Sequence, residues 1–261
     1  MTTQKYMFNT ADDGEHARLL GQAQLWDRLT FRRLEGLGVG EGSRCLEVGG
    51  GTGTVVRWLA DRVGPTGGVV ATDLEPKWLR TVEASNVETF EHDISTEPLS
   101  SEAYDVINLR LVLMHQADEQ AVLRKLIDAL VPGGRLLVEE YDMRSLPVCH
   151  PPDDTWHTVA GASVELVNAA GADVRLGVKL QGMLEGAGLL DVDAEAVAFP
   201  RRVPDIQAWR QQFVEVGPRL VQGGWVTAEQ VDSVIARFDD PNCDLVVYGP
   251  TLVSVTGRKP E

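Results

Sequence analysis

Residues 45–56, CLEVGGGTGTVV, set an apolar strand-like run against an apolar helix-like run with a glycine cluster between them. Such a junction brings bare backbone close to a ligand, because glycine adopts turn conformations that other residues resist. No other segment constrains the fold as much. Two templates fit it unequally. Read as G-x-G-x-x-G, it offers Gly49 and Gly51 but places Thr54 where the third glycine belongs, so the dinucleotide fingerprint is incomplete. Read as acid-x-G-x-G-x-G, it is filled by Glu47, Gly49, Gly51 and Gly53. The first template implies hydride transfer and the second implies group transfer.

The rest of the chain repeats the strand, turn and helix unit. Residues 67–73 (GGVVATD) and 87–93 (VETFEHD) read as strands with a helix over 76–84 between them. Residues 104–115 supply a fourth strand, the ridge-forming 119–131 a helix, and 135–142 (RLLVEEYD) a fifth strand after a breaking PGG. Alternation at this spacing predicts a mostly parallel, doubly wound α/β sheet of Rossmann-like type, with helices on both faces. Residues 191–203 and 245–259 read as two final strands. The 261 residues are expected to form a single domain, with one or two N-terminal helices within 1–40 and helical insertions at 143–175 and 204–240 forming a lid over the substrate.

Composition narrows the partners. With 24 basic and 39 acidic residues the chain carries a net charge of -15 and no basic stripe, which disfavours nucleic acid and anionic membrane surfaces. Its three cysteines show no C-x-x-C spacing, so neither a disulfide framework nor a thiolate metal site is expected. No secretory signal or membrane-length apolar run is evident, which predicts a cytoplasmic protein, as a monomer or homodimer.

In an open α/β sheet the ligand sits beyond the carboxyl ends of the strands. Those ends carry Glu47, Asp73, Asp93, Asn108 to Arg110, and Glu139 to Asp142. Carboxylates repel a pyrophosphate, whereas they suit a ligand with an ammonium, a sulfonium and a ribose diol. Asp73 can accept from both ribose hydroxyls, in either a nicotinamide dinucleotide or an adenosyl ligand. Asp93 can accept from an adenine amino group with Ile94 packed on the ring. The plainer alternative for both aspartates is to cap a turn or a helix.

LEVGGGTG, ATDLEP, EHDI, YDVINLRLVLMH and LVPGGRLLVEEYD, in this order and spacing, resemble the class I S-adenosylmethionine-dependent methyltransferases, in particular the small-molecule branch with ubiquinone/menaquinone-biosynthesis and natural-product enzymes. The resemblance covers residues 43–142 closely and the remainder loosely. It implies a seven-stranded sheet of order 3-2-1-4-5-7-6 with its last strand antiparallel, and S-adenosylmethionine as cofactor. It implies that Glu47 lies near the methionine amino end and that Gly49, Gly51 and Gly53 let the backbone pass the cofactor. Asp73 then holds the ribose, Leu74 flanks the adenine with Asp93 and Ile94, and Asn108 to Arg110 line the methionine portion.

Methyl transfer from a sulfonium needs positioning, deprotonation and exclusion of water, and no metal. Candidate bases are His115, just past strand four, and His150 and His157 in the first insertion; His16 is read as a surface residue. Tyr6, Trp26, Tyr141, Trp209 and Phe213 are candidates to wall a substrate pocket, or else to dock the lid helices on the core. The expected activity is methylation of an oxygen or nitrogen, ahead of carbon, of a small molecule in secondary metabolism. Two rivals are a relative that uses the bound cofactor structurally, as in a cyclisation, and an NAD-dependent oxidoreductase.

Overall fold

The computed structural model describes residues 13–261, so Tyr6 lies outside the described residues. A single long helix, α1 (Asp13–Gly36), stands where one or two were expected, and leads into β1 (Arg44–Val48), the glycine turn and α2 (Thr54–Val63). β2 (Gly68–Asp73), β3 (Val87–Glu91), β4 (Tyr104–Arg110), α3 (Glu119–Ala129) and β5 (Leu130–Asp142) follow. β6 (Cys149–His150), α4 (Asp154–Ala169), α5 (Leu176–Gly186), β7 (Leu190–Val197) and β8 (Pro200–Arg202) come next. The chain ends with α6 (Gln207–Gln222), α7 (Ala228–Asp239), β9 (Val246–Tyr248) and β10 (Thr251–Arg258).

The main sheet has the order β3-β2-β1-β4-β5-β10-β7, with β10 antiparallel to both neighbours and the other pairs among β1 to β5 parallel. Counting only its own strands, this is the expected 3-2-1-4-5-7-6. Side chains alternate across it. Cys45, Val69, Ala71, Val106 and Leu137 share a core with Val55, Val56 and Leu59 of α2. Leu46, Val48, Ile107, Leu109, Leu136 and Val138 lie in the other core, with α3 and α5 residues.

Four expectations need correction. The fourth strand, read over 104–115, stops at Arg110, and a 3-10 turn follows at Leu113–His115. The helix over 76–84 is a turn followed by one 3-10 turn at Leu79–Thr81. A nine-residue segment containing Thr81 and Val82 has little helix propensity, and burying Leu79 under the glycine turn fixes it instead. The two terminal strands are each broken, at Pro200 and at Gly249-Pro250, where a ladder N–H is missing or the backbone bends. Their detached halves, β8 and β9, pair with each other, and β9 pairs with β6, in a separate three-stranded sheet of order β6-β9-β8. Finally, β5 begins at Leu130, so the PGG lies inside the strand.

Candidate functional site

At the end of β1 the chain turns through three left-handed glycines, Gly49 (φ 69°), Gly51 (φ 52°) and Gly53 (φ 75°), the last at the mouth of α2. Gly49 and Gly50 donate their N–H groups to the Thr72 carbonyl at 2.8 and 3.0 Å, which pins the turn to the end of β2. A side chain on Gly49 would drive its Cβ to 2.3 Å from Val112 Cγ2, and one on Gly53 to 2.6 Å from Val82 Cγ2. Gly51 is the open position, meeting only Leu19 of α1 at 3.9 Å. Asp73 completes this corner: its carboxylate accepts from the Gly51 N–H at 2.9 Å and the Glu75 N–H at 3.0 Å. Leu74 beside it is 54% exposed.

Below the turn lies a buried polar row on the α1 face of the sheet. Glu47 accepts from the Asn108 amide at 2.7 Å, across the β1–β4 pairing that sets these residues side by side. Asn108 Oδ1 is buried without a partner. Arg110, two residues along the same face, donates to Asp27 at 2.9 Å and to the Thr30 hydroxyl at 2.7 Å. Thr30 in turn donates to Glu139 at 2.5 Å, and Trp26 Nε1 donates to the Tyr141 hydroxyl at 2.8 Å. Asp27, Thr30 and Trp26 all belong to α1, so one helix is tied to β4 and β5 by hydrogen bonds as well as by packing.

Burial governs the titration of these groups. It pushes the Glu47 carboxyl up to about 8, opposed by the Asn108 bond and the Arg110 charge. The same effect raises Glu139 against the pull of Arg110 and Thr30, and lifts the Tyr141 phenol to about 12. His115, at the end of the short turn Leu113–His115, is pushed down to about 4 by burial and by Arg18. Its imidazole is therefore neutral at neutral pH and is better suited to hydrogen bonding than to storing a proton.

A pH experiment follows from Glu47. Between the unfolded carboxyl's value near 4.3 and the folded value of about 8, the folded chain keeps a proton that the unfolded chain has lost. Stability therefore falls as pH rises through that window. Glu47→Gln is expected to reduce the slope at pH 6 to 7 by about 1.4 kcal/mol per pH unit, one proton's share. Urea unfolding across pH checks this, and an unchanged slope contradicts it.

The remaining candidates are dispersed. His150 on β6 and His157 on α4 are exposed. Phe213 is buried edge-to-face against Trp156 at 5.4 Å and beside Phe238 at 5.8 Å, docking α6 on α4 and α7. Trp209 lies over Gly249, where a Cβ would fall 2.3 Å from its ring. Trp26 is buried between Tyr141 and Phe199. Asp93 spends Oδ1 on the N–H and hydroxyl of Ser95, a turn-capping arrangement, and Ile94 is buried in the core. His16 is not simply a surface residue: it stacks on Trp78 at 3.8 Å and 11°. Among the described residues no group of three or more His, Cys, Asp or Glu could hold a metal ion, and no helix is long and apolar enough to cross a membrane. Asp27 and Thr30 were not evident from the sequence; the one signal was a polar face on an otherwise apolar helix stripe.

Comparison with known proteins supports this geometry. Residues 40–185 match the family model described as a methyltransferase domain. The ubiquinone/menaquinone biosynthesis C-methyltransferase of Ectopseudomonas mendocina is 33% identical over 144 residues, 52% of this chain. The chain spans about half the length of such curated relatives, 55% in this case. Among solved structures, a Bacillus halodurans protein assigned as a methyltransferase aligns with a TM-score of 0.59 at 18% identity, covering 88% of this chain and 99% of that one. The Haemonchus contortus phosphoethanolamine N-methyltransferase 2 in complex with S-adenosyl-L-methionine aligns with a TM-score of 0.55 at 16% identity, covering 85% of this chain and 50% of that one. Glycine turn, strand order and family model agree: the chain belongs to the methyltransferase-domain family.

Proposed function

We propose that the glycine turn, Asp73 and the row beneath them bind S-adenosylmethionine for methylation of a small organic molecule at oxygen, nitrogen or carbon. The observation that carries this reading is the corner made by Gly51 and Asp73. It offers an uncrowded left-handed glycine beside a carboxylate anchored to the turn by the Gly51 N–H. The residues fit the cofactor's chemistry: Asp73 suits a ribose diol, Leu74 an adenine face, and the unpartnered Asn108 Oδ1 beside Glu47 an ammonium. Gly49 and Gly53 supply backbone without bulk, and the Arg110 backbone continues the wall beyond Asn108. Asp93 and Ile94 remain adenine-edge candidates in this reading.

The bound cofactor supplies a methyl group already activated on a sulfonium. The chain's own residues then orient the acceptor and exclude water. Tyr141, with Trp26 packed behind it, backs the acceptor end of the site over β5, and His115 serves there as a neutral imidazole. α1 and the insertions 143–175 and 204–240, bearing Trp209, Phe213, His150 and His157, form the cover within one domain. The curated relatives are C-methyltransferases of ubiquinone and menaquinone biosynthesis, which supports carbon beside oxygen and nitrogen. An aromatic acceptor of secondary metabolism or quinone chemistry fits this wall.

The test is incubation with S-adenosylmethionine and separate panels of phenols, amines and quinols, followed by mass spectrometry. One methyl gained per S-adenosylhomocysteine formed is the expected result. An acceptor rearranged with no S-adenosylhomocysteine formed would instead identify a structural use of the cofactor.

A further inference from the structure

Glu140 is completely buried, yet it points away from the polar row that occupies Glu139 and Tyr141. A carboxyl held in an apolar wall needs strong partners. Its Oε1 accepts from the N–H groups of Val112 at 3.0 Å and Leu113 at 2.6 Å, while Oε2 is buried with no partner. The two N–H groups belong to the turn leaving β4. That turn opens on Leu111 in the left-handed region (φ 59°), a conformation costing a non-glycine residue roughly 1–2 kcal/mol. It closes with the N–H of His115 on the Val112 carbonyl at 3.2 Å. A left-handed residue followed by a tight turn aims successive N–H groups into one concavity, which an anion or carboxyl oxygen fills.

Val112 is the point of transmission, because its Cγ2 occupies the place where a side chain on Gly49 would lie. We propose that Glu140 is a positioning residue of the cofactor site: it holds the Leu111–Val112 turn in its strained form and thereby keeps Val112 closed against Gly49. The inference rests on the glycine turn being the cofactor site. Glu140 acts through backbone N–H groups and a valine, at a distance from the cofactor itself. An apolar residue in its place would fill the volume but leave the turn without its acceptor, and Leu111 would relax toward the extended region.

The test measures S-adenosylhomocysteine affinity by calorimetry and the ligand-free unfolding temperature, for the wild type and four variants. Glu140→Gln retains an acceptor oxygen, so its affinity is expected to stay within about threefold of wild type. Glu140→Leu is expected to weaken binding by about tenfold or more. Adding Leu111→Gly, which adopts the left-handed form without strain, is expected to recover a substantial part of that loss. Val112→Ala is expected to weaken binding with the unfolding temperature little changed, and it carries the test if Glu140→Leu does not fold. Wild-type affinity in a folded Glu140→Leu or in Val112→Ala would overturn the positioning role, as would the absence of any recovery on adding Leu111→Gly. A wild type that itself fails to bind S-adenosylhomocysteine would overturn the cofactor site and this role with it.

Discussion

Arg110→Ala is expected to cost about 3–5 kcal/mol of folding stability, the loss typical of a buried ion pair stripped of one partner. Arg110 and Asp27 side chains are only 12% and 16% exposed, so neither charge is well solvated. Arg110 also bonds Thr30, which supports Glu139, and its charge acts on Glu47. Alanine would therefore leave Asp27 without its partner and remove the cation that holds down the raised carboxyls of Glu47 and Glu139. Lysine cannot reproduce the forked contact to Asp27 and Thr30, so Arg110→Lys is expected to fall between the two. Denaturant unfolding at pH 7 checks this, with Asp27→Asn as the partner for a double-mutant cycle. A loss under about 1 kcal/mol would place the pair among ordinary surface salt bridges and contradict the view that α1 is locked to the sheet.

Asp73→Ala is expected to weaken S-adenosylmethionine binding by about a hundredfold or more. Hydrogen bonds to a charged acceptor contribute about 1.5–3 kcal/mol each, and about 1.4 kcal/mol corresponds to a tenfold change in affinity. Two ribose hydroxyls suffice for that loss. The substitution also releases the Gly51 and Glu75 N–H groups, loosening the turn itself. Asp73→Asn keeps one acceptor oxygen and is expected to fall about tenfold, as one charged bond is weakened rather than lost. Calorimetric titration measures both, and an Asp73→Ala variant that binds within about threefold of wild type would remove Asp73 from the ribose.

The glycine turn and the mostly parallel, doubly wound sheet were legible because both are written in local pattern, whereas the order of the strands came from the resemblance to class I methyltransferases. Alternating strand and helix periods fix the crossovers, and Glu47, Gly49, Gly51 and Gly53 differ from a dinucleotide loop at a single position, Thr54. The same alternation separates Glu139 and Tyr141 from Glu140. What stayed hidden depends on contacts distant in sequence. Thr30 and Glu139 are 109 residues apart, and Trp26 and Tyr141 are 115 apart. The segment 76–84 carries a helical period but yields to the burial of Leu79 and the stacking of Trp78 on His16. β8 and β9 read as continuations of longer strands because a proline in an apolar run marks a break without saying where the released half will pair. Asp93 caps the turn at Ser95 through Oδ1, a local contact that leaves Oδ2 for the adenine-edge role proposed above.

The adenosyl reading of residues 45–56 is tested most directly by calorimetric titration of the purified chain with S-adenosylhomocysteine and, separately, with NAD. Saturable binding of one S-adenosylhomocysteine per chain, with no heat from NAD, is the predicted result. Binding of NAD with no response to S-adenosylhomocysteine would contradict it, and would return the turn at Gly49 to the dinucleotide template it only partly fits.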